Sequence, residues 1–179
     1  MTRSVLIALV VGVAAASPSF AQAPYAGLQA RPVKALSDQQ IADLKAGRGM
    51  GLALPAELNG YPGPSHVLEL ADRIGLTDTQ RRAVRGLFES MKAETIPIGE
   101  ALIAQETALD TLFAGHAATA ESVDALTAEI GGTQARLRAA HLRYHLATLD
   151  LLQPAQVERY AELRGYRDGG TSGHHPHGR

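Results

Sequence analysis

Residues 76–152, LTDTQRRAVRGLFESMKAETIPIGEALIAQETALDTLFAGHAATAESVDALTAEIGGTQARLRAAHLRYHLATLDLL, decide the fold of this chain. Apolar or small residues recur in this stretch at alternating spacings of three and four, the pattern of helices that bury one narrow stripe each. The first stripe consists of Val84, Phe88, Met91, Thr95, Ile98, Leu102, Gln105, Leu109 and Leu112. The second consists of Val123, Leu126, Ile130, Thr133, Leu137, Ala140, Tyr144, Ala147 and Leu151. We therefore predict two long helices that pack along these stripes.

A short break separates the two predicted helices. Residues 114–116, Ala-Gly-His, interrupt the pattern, and so short a connection makes the helices antiparallel neighbours. Each helix would be about 50 Å long at about 1.5 Å per residue. Pro97 removes a backbone hydrogen bond inside the first helix and bends it, while Gly131 and Gly132 soften the facing segment. This predicts a curved hairpin; alternatively, the two glycines only allow the helices to approach closely.

Capping residues indicate shorter helices before the hairpin. Ser37, with Gln40 three residues later, predicts a short helix over residues 38–46. Ser65 is predicted to be the N-cap of a second helix, which ends at Gly75. The apolar face of this second helix consists of Val67, Leu68, Leu70, Ala71 and Ile74.

Further signals mark the ends of the remaining helices. Thr77 is predicted to cap the first long helix, with the Gln80 side chain reaching back to the cap amide. The second long helix begins at Thr119 or Ala120, and a last helix spans residues 154–164. The sequence thus predicts an all-α fold, a long curved antiparallel helical hairpin with shorter flanking helices.

The second long helix also carries leucines on the face opposite its stripe, namely Leu142, Leu146 and Leu149. A helix that is apolar on both sides is buried on both sides. The candidates for the second contact are the Ser65 helix, the last helix and a partner chain. Since one narrow seam buries little apolar area, the hairpin needs further helices or a second chain.

Length and composition exclude several classes of protein. The chain has 179 residues, enough for one domain, and contains no cysteine, which excludes a disulfide framework and a thiolate metal site. The formal net charge of −1 gives no electrostatic footprint for nucleic acid. The glycine-rich residues 47–51 lack the Gly-Lys-Ser/Thr ending of a phosphate loop. No nucleophile–base pair or paired-carboxylate site is recognisable, so we do not expect an enzyme.

The first 21 residues predict a secretory signal peptide. Arg3 supplies the positive charge, residues 5–16 are apolar, and Ser19-Phe20-Ala21 is a cleavage site. The alternative, a membrane anchor, is disfavoured because the apolar run is shorter than the roughly 20 residues needed to span a bilayer.

Two further segments differ in composition from the helical region. Residues 22–60 predict a flexible N-terminal arm that contains the short Ser37 helix, and the sequence leaves open whether this arm docks on the hairpin. Residues 166–179 form a glycine- and histidine-rich tail that we expect to be disordered.

The motif LTDTQ at residues 76–80 resembles the Leu-Thr-x-x-Gln motif of the Spy/CpxP-like periplasmic family, which includes zinc-resistance-associated and heavy-metal sensor relatives. A second copy, LQPAQ at residues 152–156, stands before the last helix and has Gln153 in place of threonine. The motif residues are Leu76, Thr77, Gln80, Leu152 and Gln156. The resemblance covers residues 61–165, the predicted Spy/CpxP-like helical domain.

This resemblance implies an antiparallel homodimer in the periplasm of a Gram-negative bacterium. The implied function is that of an ATP-independent chaperone or envelope-stress adaptor that binds unfolded or envelope proteins, with a membrane sensor protein as a further partner. The alternative function is that of a periplasmic sensor or binding protein for zinc or copper. No cofactor is required for the first of these functions.

The alternative function, metal binding, rests on two histidines that lie one helical turn apart. His141 and His145 share a helix face at spacing i, i+4 and can hold one metal ion together. In an antiparallel hairpin Glu94 faces them as a third ligand, and His66 is a fourth candidate. Met91 would favour a soft ion such as Cu(I). The structural alternative is that both histidines only hydrogen-bond carboxylates or solvent.

The remaining histidines are weaker candidates. His174, His175 and His177 form a tail cluster that binds divalent metals loosely or is simply solvated. His116 is interpreted as a turn residue rather than a ligand.

Overall fold

The structure, a computed structural model, describes residues 25–166. Within that range the chain forms six α-helices and no strand: α1 (Asp38–Lys45), α2 (Leu54–Glu57), α3 (Pro64–Glu69), α4 (Asp78–Ala114), α5 (Ala120–Leu149) and α6 (Pro154–Arg164). The all-helical prediction is confirmed. The predicted signal peptide lies outside the described residues, as does the tail after Tyr166. None of the described helices combines the length and the apolarity that a membrane span requires.

The two long helices, α4 and α5, pack against each other. Contacts link the beginning of α4 to the end of α5, because Gln80 bonds the carbonyl of Leu151 and Glu94 pairs with Arg143. Pro97 lies inside α4, which continues through it. Three residues of the predicted stripes, Leu102 of α4 and Ile130 and Leu137 of α5, share one buried hydrophobic cluster.

The predicted cap of α4 is confirmed, and α5 begins at Ala120 after Thr119, within the predicted bounds. The Thr77 hydroxyl accepts from the N–H of Gln80, and the Gln80 side chain accepts from the N–H of Thr77. Thr119 caps α5 in the same way, with Ser122 as its partner. Each cap satisfies amides that a helix start leaves without an intrahelical partner.

The two copies of the motif meet in one hydrophobic cluster at this end of the helix pair. Leu76 and Leu152 are both buried there, against Val67, Val84 and Tyr160. Burial of each leucine removes apolar surface from water and contributes about 2 kcal/mol. The cluster therefore joins α3, α4 and α6.

The glutamines of the two motifs form a reciprocal amide pair above this cluster. The Nε2 of Gln80 donates to the Oε1 of Gln156 at 2.8 Å and to the carbonyl of Leu151 at 2.9 Å. The Nε2 of Gln156 donates back to the Oε1 of Gln80 at 3.1 Å and to the carbonyl of Gly75 at 3.0 Å. Each glutamine thus donates a hydrogen bond to the backbone carbonyl of the residue that precedes the other motif. We call this arrangement the glutamine clamp.

The N-terminal segment is packed where an extended arm was expected. Val33, Leu36 and Leu44 are buried in a second hydrophobic cluster with Leu102, Ile130 and Leu137 of the long helices. The predicted capping box of Ser37 and Gln40 is present at the start of α1. The structure therefore answers the question that the sequence left open, because the arm docks on α4 from Val33 onward.

The helix predicted from Ser65 differs at both ends. Its N-cap is Gly63 rather than Ser65, because Pro64 suits the first helical position, where no N–H is needed. The α-helical hydrogen bonding ends at Glu69, and turns lead to Gly75, which has the left-handed φ of 69°. The N–H of Leu76 then bonds the carbonyl of Ala71 at 2.9 Å, which closes the turn.

The second buried face of α5 is polar rather than leucine-rich. His141, His145 and Thr148 are buried on it, whereas Leu146 is 53% exposed. The segment 46–63 covers this face with glycines, which leave room for imidazole rings. The prediction of a buried leucine face was therefore wrong for Leu146.

Candidate functional site

A cavity of about 570 Å³ lies where the segment 46–63 meets α3, α4, α5 and the chain after α6. Four glycines of this segment line it, Gly47, Gly49, Gly51 and Gly63. The side chains that line it include those of Glu57, His66, Met91, His141, His145 and Tyr166. The cavity therefore collects four of the residues that the sequence analysis considered for metal binding, His66, Met91, His141 and His145.

Glu57 is the buried charge of this site, with 5% of its surface exposed. Its Oε2 accepts from the N–H of Gly63 at 3.1 Å. Its Oε1 accepts from the hydroxyl of Tyr160, from the hydroxyl of Tyr166 at 3.1 Å, and from the Nδ1 of His66 at 3.3 Å. One carboxylate thus ties α2 to α3 and α6.

The surroundings of Glu57 favour its charged form. Burial alone would raise the pKa of this carboxyl, but hydrogen bonds from His66, Tyr160 and the Gly63 amide outweigh it and lower the pKa to about 2. Burial and the neighbouring carboxylate raise the pKa of Tyr160 in turn, so its hydroxyl remains a donor. Glu57 is therefore a permanent anion at neutral pH.

The two histidines of α5 are both covered by glycines. The Nδ1 of His145 donates to the carbonyl of Tyr61 at 2.7 Å, and a Cβ on Gly63 would lie 2.8 Å from its ring. His141 is 2% exposed, and a Cβ on Gly49 would lie 3.4 Å from its Nδ1. Any side chain at Gly63 would displace the ring, so the segment 46–63 is fitted to these two imidazoles.

His141 is held in its neutral form. Burial lowers its pKa, and the neighbouring His145 adds to this effect, while Glu94 opposes it. Its Nε2 is buried and has no hydrogen-bond partner within residues 25–166. The ring lines the cavity and keeps its buried Nε2 without a hydrogen-bond partner among the described residues.

The structure brings together three of the four residues predicted as metal ligands. His66, His141 and His145 line the cavity, whereas Glu94 does not and instead pairs with Arg143 at 2.5 Å. Within the described range, no three His, Asp or Glu side chains are arranged to hold a metal ion. The predicted four-ligand set therefore does not converge in this structure. His116 lies in the turn after α4 with a φ of 52°, as expected of a turn residue.

Glu57 was missed by the sequence analysis. It is the only acidic residue between residues 44 and 68, in an otherwise apolar and glycine-rich segment. An isolated acid in such surroundings is a usable signal, because a buried charge needs partners. Its main partners come from distant parts of the chain, so their spacing in the sequence does not predict that they bind Glu57.

Large apolar side chains are exposed on segment 46–63 and on the end of α5. They are Met50, Leu54, Leu58, Tyr61 and Leu146, which we call the apolar patch, and the first two line the cavity. The first four belong to the segment around α2, which packs on α5. The bond from His145 to the Tyr61 carbonyl ties this segment to the turn of α5 that carries Leu146.

Comparisons of the chain with protein-family models, with curated proteins and with solved structures find no match.

Proposed function

We propose that this protein is a periplasmic chaperone or envelope-stress adaptor that holds unfolded polypeptide without ATP. The observation that carries the proposal is the apolar patch, since several large apolar side chains remain exposed on two elements that contact each other, the segment around α2 and α5. Leu58 is 55% exposed and Leu146 is 53% exposed. Weak contacts with flexible apolar side chains suit the binding of many different sequences.

The proposal includes an assembly. The helix pair of α4 and α5 would be a curved antiparallel hairpin, and two copies would form an antiparallel homodimer. The N-terminal residues would direct export to the periplasm. The doubled Leu-Thr-x-x-Gln motif supports this proposal by its resemblance to the Spy/CpxP-like family.

Suppression of aggregation tests the proposal. We expect the complete chain without residues 1–21 to suppress the aggregation of a thermally unfolding client, with no ATP present. Leu54→Ser, Leu58→Ser and Leu146→Ser together should reduce this suppression about thirtyfold, because about 2 kcal/mol of apolar contact is lost. The measurement is light scattering against protein concentration.

A matched control is available at the other end of α4. Phe113 is 56% exposed but lies away from the patch, so Phe113→Ser should leave the suppression unchanged. Equal suppression by the triple variant and the parent protein would contradict the proposal.

The second candidate function is metal binding, favoured by three histidines and Met91 at the wall of one cavity. On this proposal the histidines move together around a zinc or copper ion. With His174, His175 and His177 replaced by alanine, we expect calorimetry to detect zinc binding, and His141→Ala with His145→Ala to abolish it. Unchanged binding in that double variant would place the metal elsewhere.

A further inference from the structure

The docked arm occupies an apolar groove on the long helices. The groove consists of Leu102, Ile130 and Leu137, and it receives Val33, Leu36 and Leu44 of the arm. We propose that this groove is a second binding surface for unfolded polypeptide, and that the arm is its displaceable internal occupant. The inference rests on the proposed chaperone function and adds where a client binds and how the surface is uncovered.

The arm approaches the backbone of α4 closely at Leu44. A Cβ built on Gly99 would lie 2.7 Å from the carbonyl oxygen of Leu44. Contact this close means that any side chain at position 99 must push α1 away from the groove. Gly99 is therefore a position from which the docking of the arm can be tuned.

The contact is bordered by a cleft of about 530 Å³ that opens to solvent and is lined by Leu36, Leu44, Leu102 and Leu137 among others. Side chains along this cleft lack packing contacts on the side that faces it. The arm is also held by an ion pair of Lys34 and Asp110 at 3.1 Å, but the lysine side chain is 48% exposed, and such pairs contribute little. The docking should therefore open more easily than the helix pair.

The seated arm indicates what kind of segment fits the groove. It presents apolar side chains at positions 33 and 36 with Lys34 between them. Asp110 receives this lysine, and Glu106 lies one turn earlier on α4. The groove therefore fits an apolar segment with a basic residue beside it, and a client of that composition would replace the arm.

Hydrogen exchange of the complete chain tests the displacement. The probe is reduced and carboxymethylated α-lactalbumin, which stays unfolded in buffer. When this probe binds, we expect amides of residues 33–46 to exchange about tenfold faster or more, because their helix is released. Binding that leaves these amides unchanged or slows them overturns the inference while the chaperone function stands. Failure of the probe to bind, together with no suppression of aggregation, overturns both.

Two glycine substitutions on α4 provide a matched pair. Gly99→Ala should speed the exchange of residues 33–46 without any probe and tighten binding of the probe about three- to tenfold, since the groove is uncovered more often. Gly86→Ala adds the same methyl group where nothing lies within 4 Å, so it should change neither quantity. Equal behaviour of the two variants would show that the arm does not compete with the client.

Discussion

Glu57→Gln should lower the free energy of unfolding by about 3 kcal/mol at pH 7. The expectation follows from the pKa of Glu57, which is about 2 in the folded protein and 4.5 in its ordinary state. Each pKa unit corresponds to about 1.4 kcal/mol of preference for the charged form in the folded chain. The amide keeps the shape of the side chain but lacks the negative charge, which strengthens the hydrogen bonds from Tyr160, Tyr166 and His66. Denaturant unfolding followed by circular dichroism measures the difference.

The lowered pKa of Glu57 also makes the stability difference between the parent protein and Glu57→Gln depend on pH. Because the folded pKa lies below the ordinary value, the stabilisation is complete above about pH 4.5 and disappears as the pH falls toward 2. The curves of the parent and of Glu57→Gln should therefore converge in acid. Glu89→Gln, at an exposed position of α4, should follow the parent at every pH. A Glu57→Gln penalty that stays constant down to pH 2 would contradict this account.

The sequence predicted the long helices because their signals are local. A repeat of apolar residues and a threonine cap with a glutamine three residues later are read within a few turns of one helix. Thr77, Thr119 and the last helix, residues 154–164, stand in the structure where these signals placed them.

The site could be predicted only in part, because it is assembled from segments far apart in the sequence. His141 and His145 were found by their spacing on one helix, whereas Glu57 bonds Tyr160, 103 residues later. The docking of the arm likewise depends on a contact between Leu44 and Gly99, which no local pattern reveals. The close approach of Gly49 and Gly63 to the imidazole rings of His141 and His145 has no local signal in the sequence either.

The doubled motif shows how a local signal acquires a second meaning in the folded chain. Read locally, Gln80 caps the first turn of α4 through its Oε1. In the structure its Nε2 also reaches Gln156 and Leu151, so each motif glutamine caps its own helix and binds the other motif. The Oε1 of Gln156 likewise accepts from the N–H of Gln153, where threonine would stand in a full copy of the motif.

Disrupting the glutamine clamp should therefore destabilise the fold more than the loss of one cap. Gln80→Ala should cost about 2 kcal/mol, because the partly buried carbonyl of Leu151 loses its donor. Gln156→Ala should cost about 1 kcal/mol, because the carbonyl of Gly75 is exposed and water can replace the lost donor. The double variant should cost about 1 kcal/mol less than the sum, since both single variants break the same amide pair. Chemical unfolding of the four proteins measures this coupling.

The variant Gln80→Glu distinguishes the contribution of the helix cap to stability from that of the glutamine clamp. A glutamate keeps the oxygen that accepts from the N–H of Thr77, and a negative charge in the first turn of a helix is itself favourable. It lacks the Nε2 that donates to Leu151 and Gln156, so it should be nearly as destabilising as Gln80→Ala. Gln134→Ala, at an exposed position of α5, should have little effect. Were Gln80→Glu as stable as the parent, the cap alone would account for the motif, and the link between its two copies would contribute nothing.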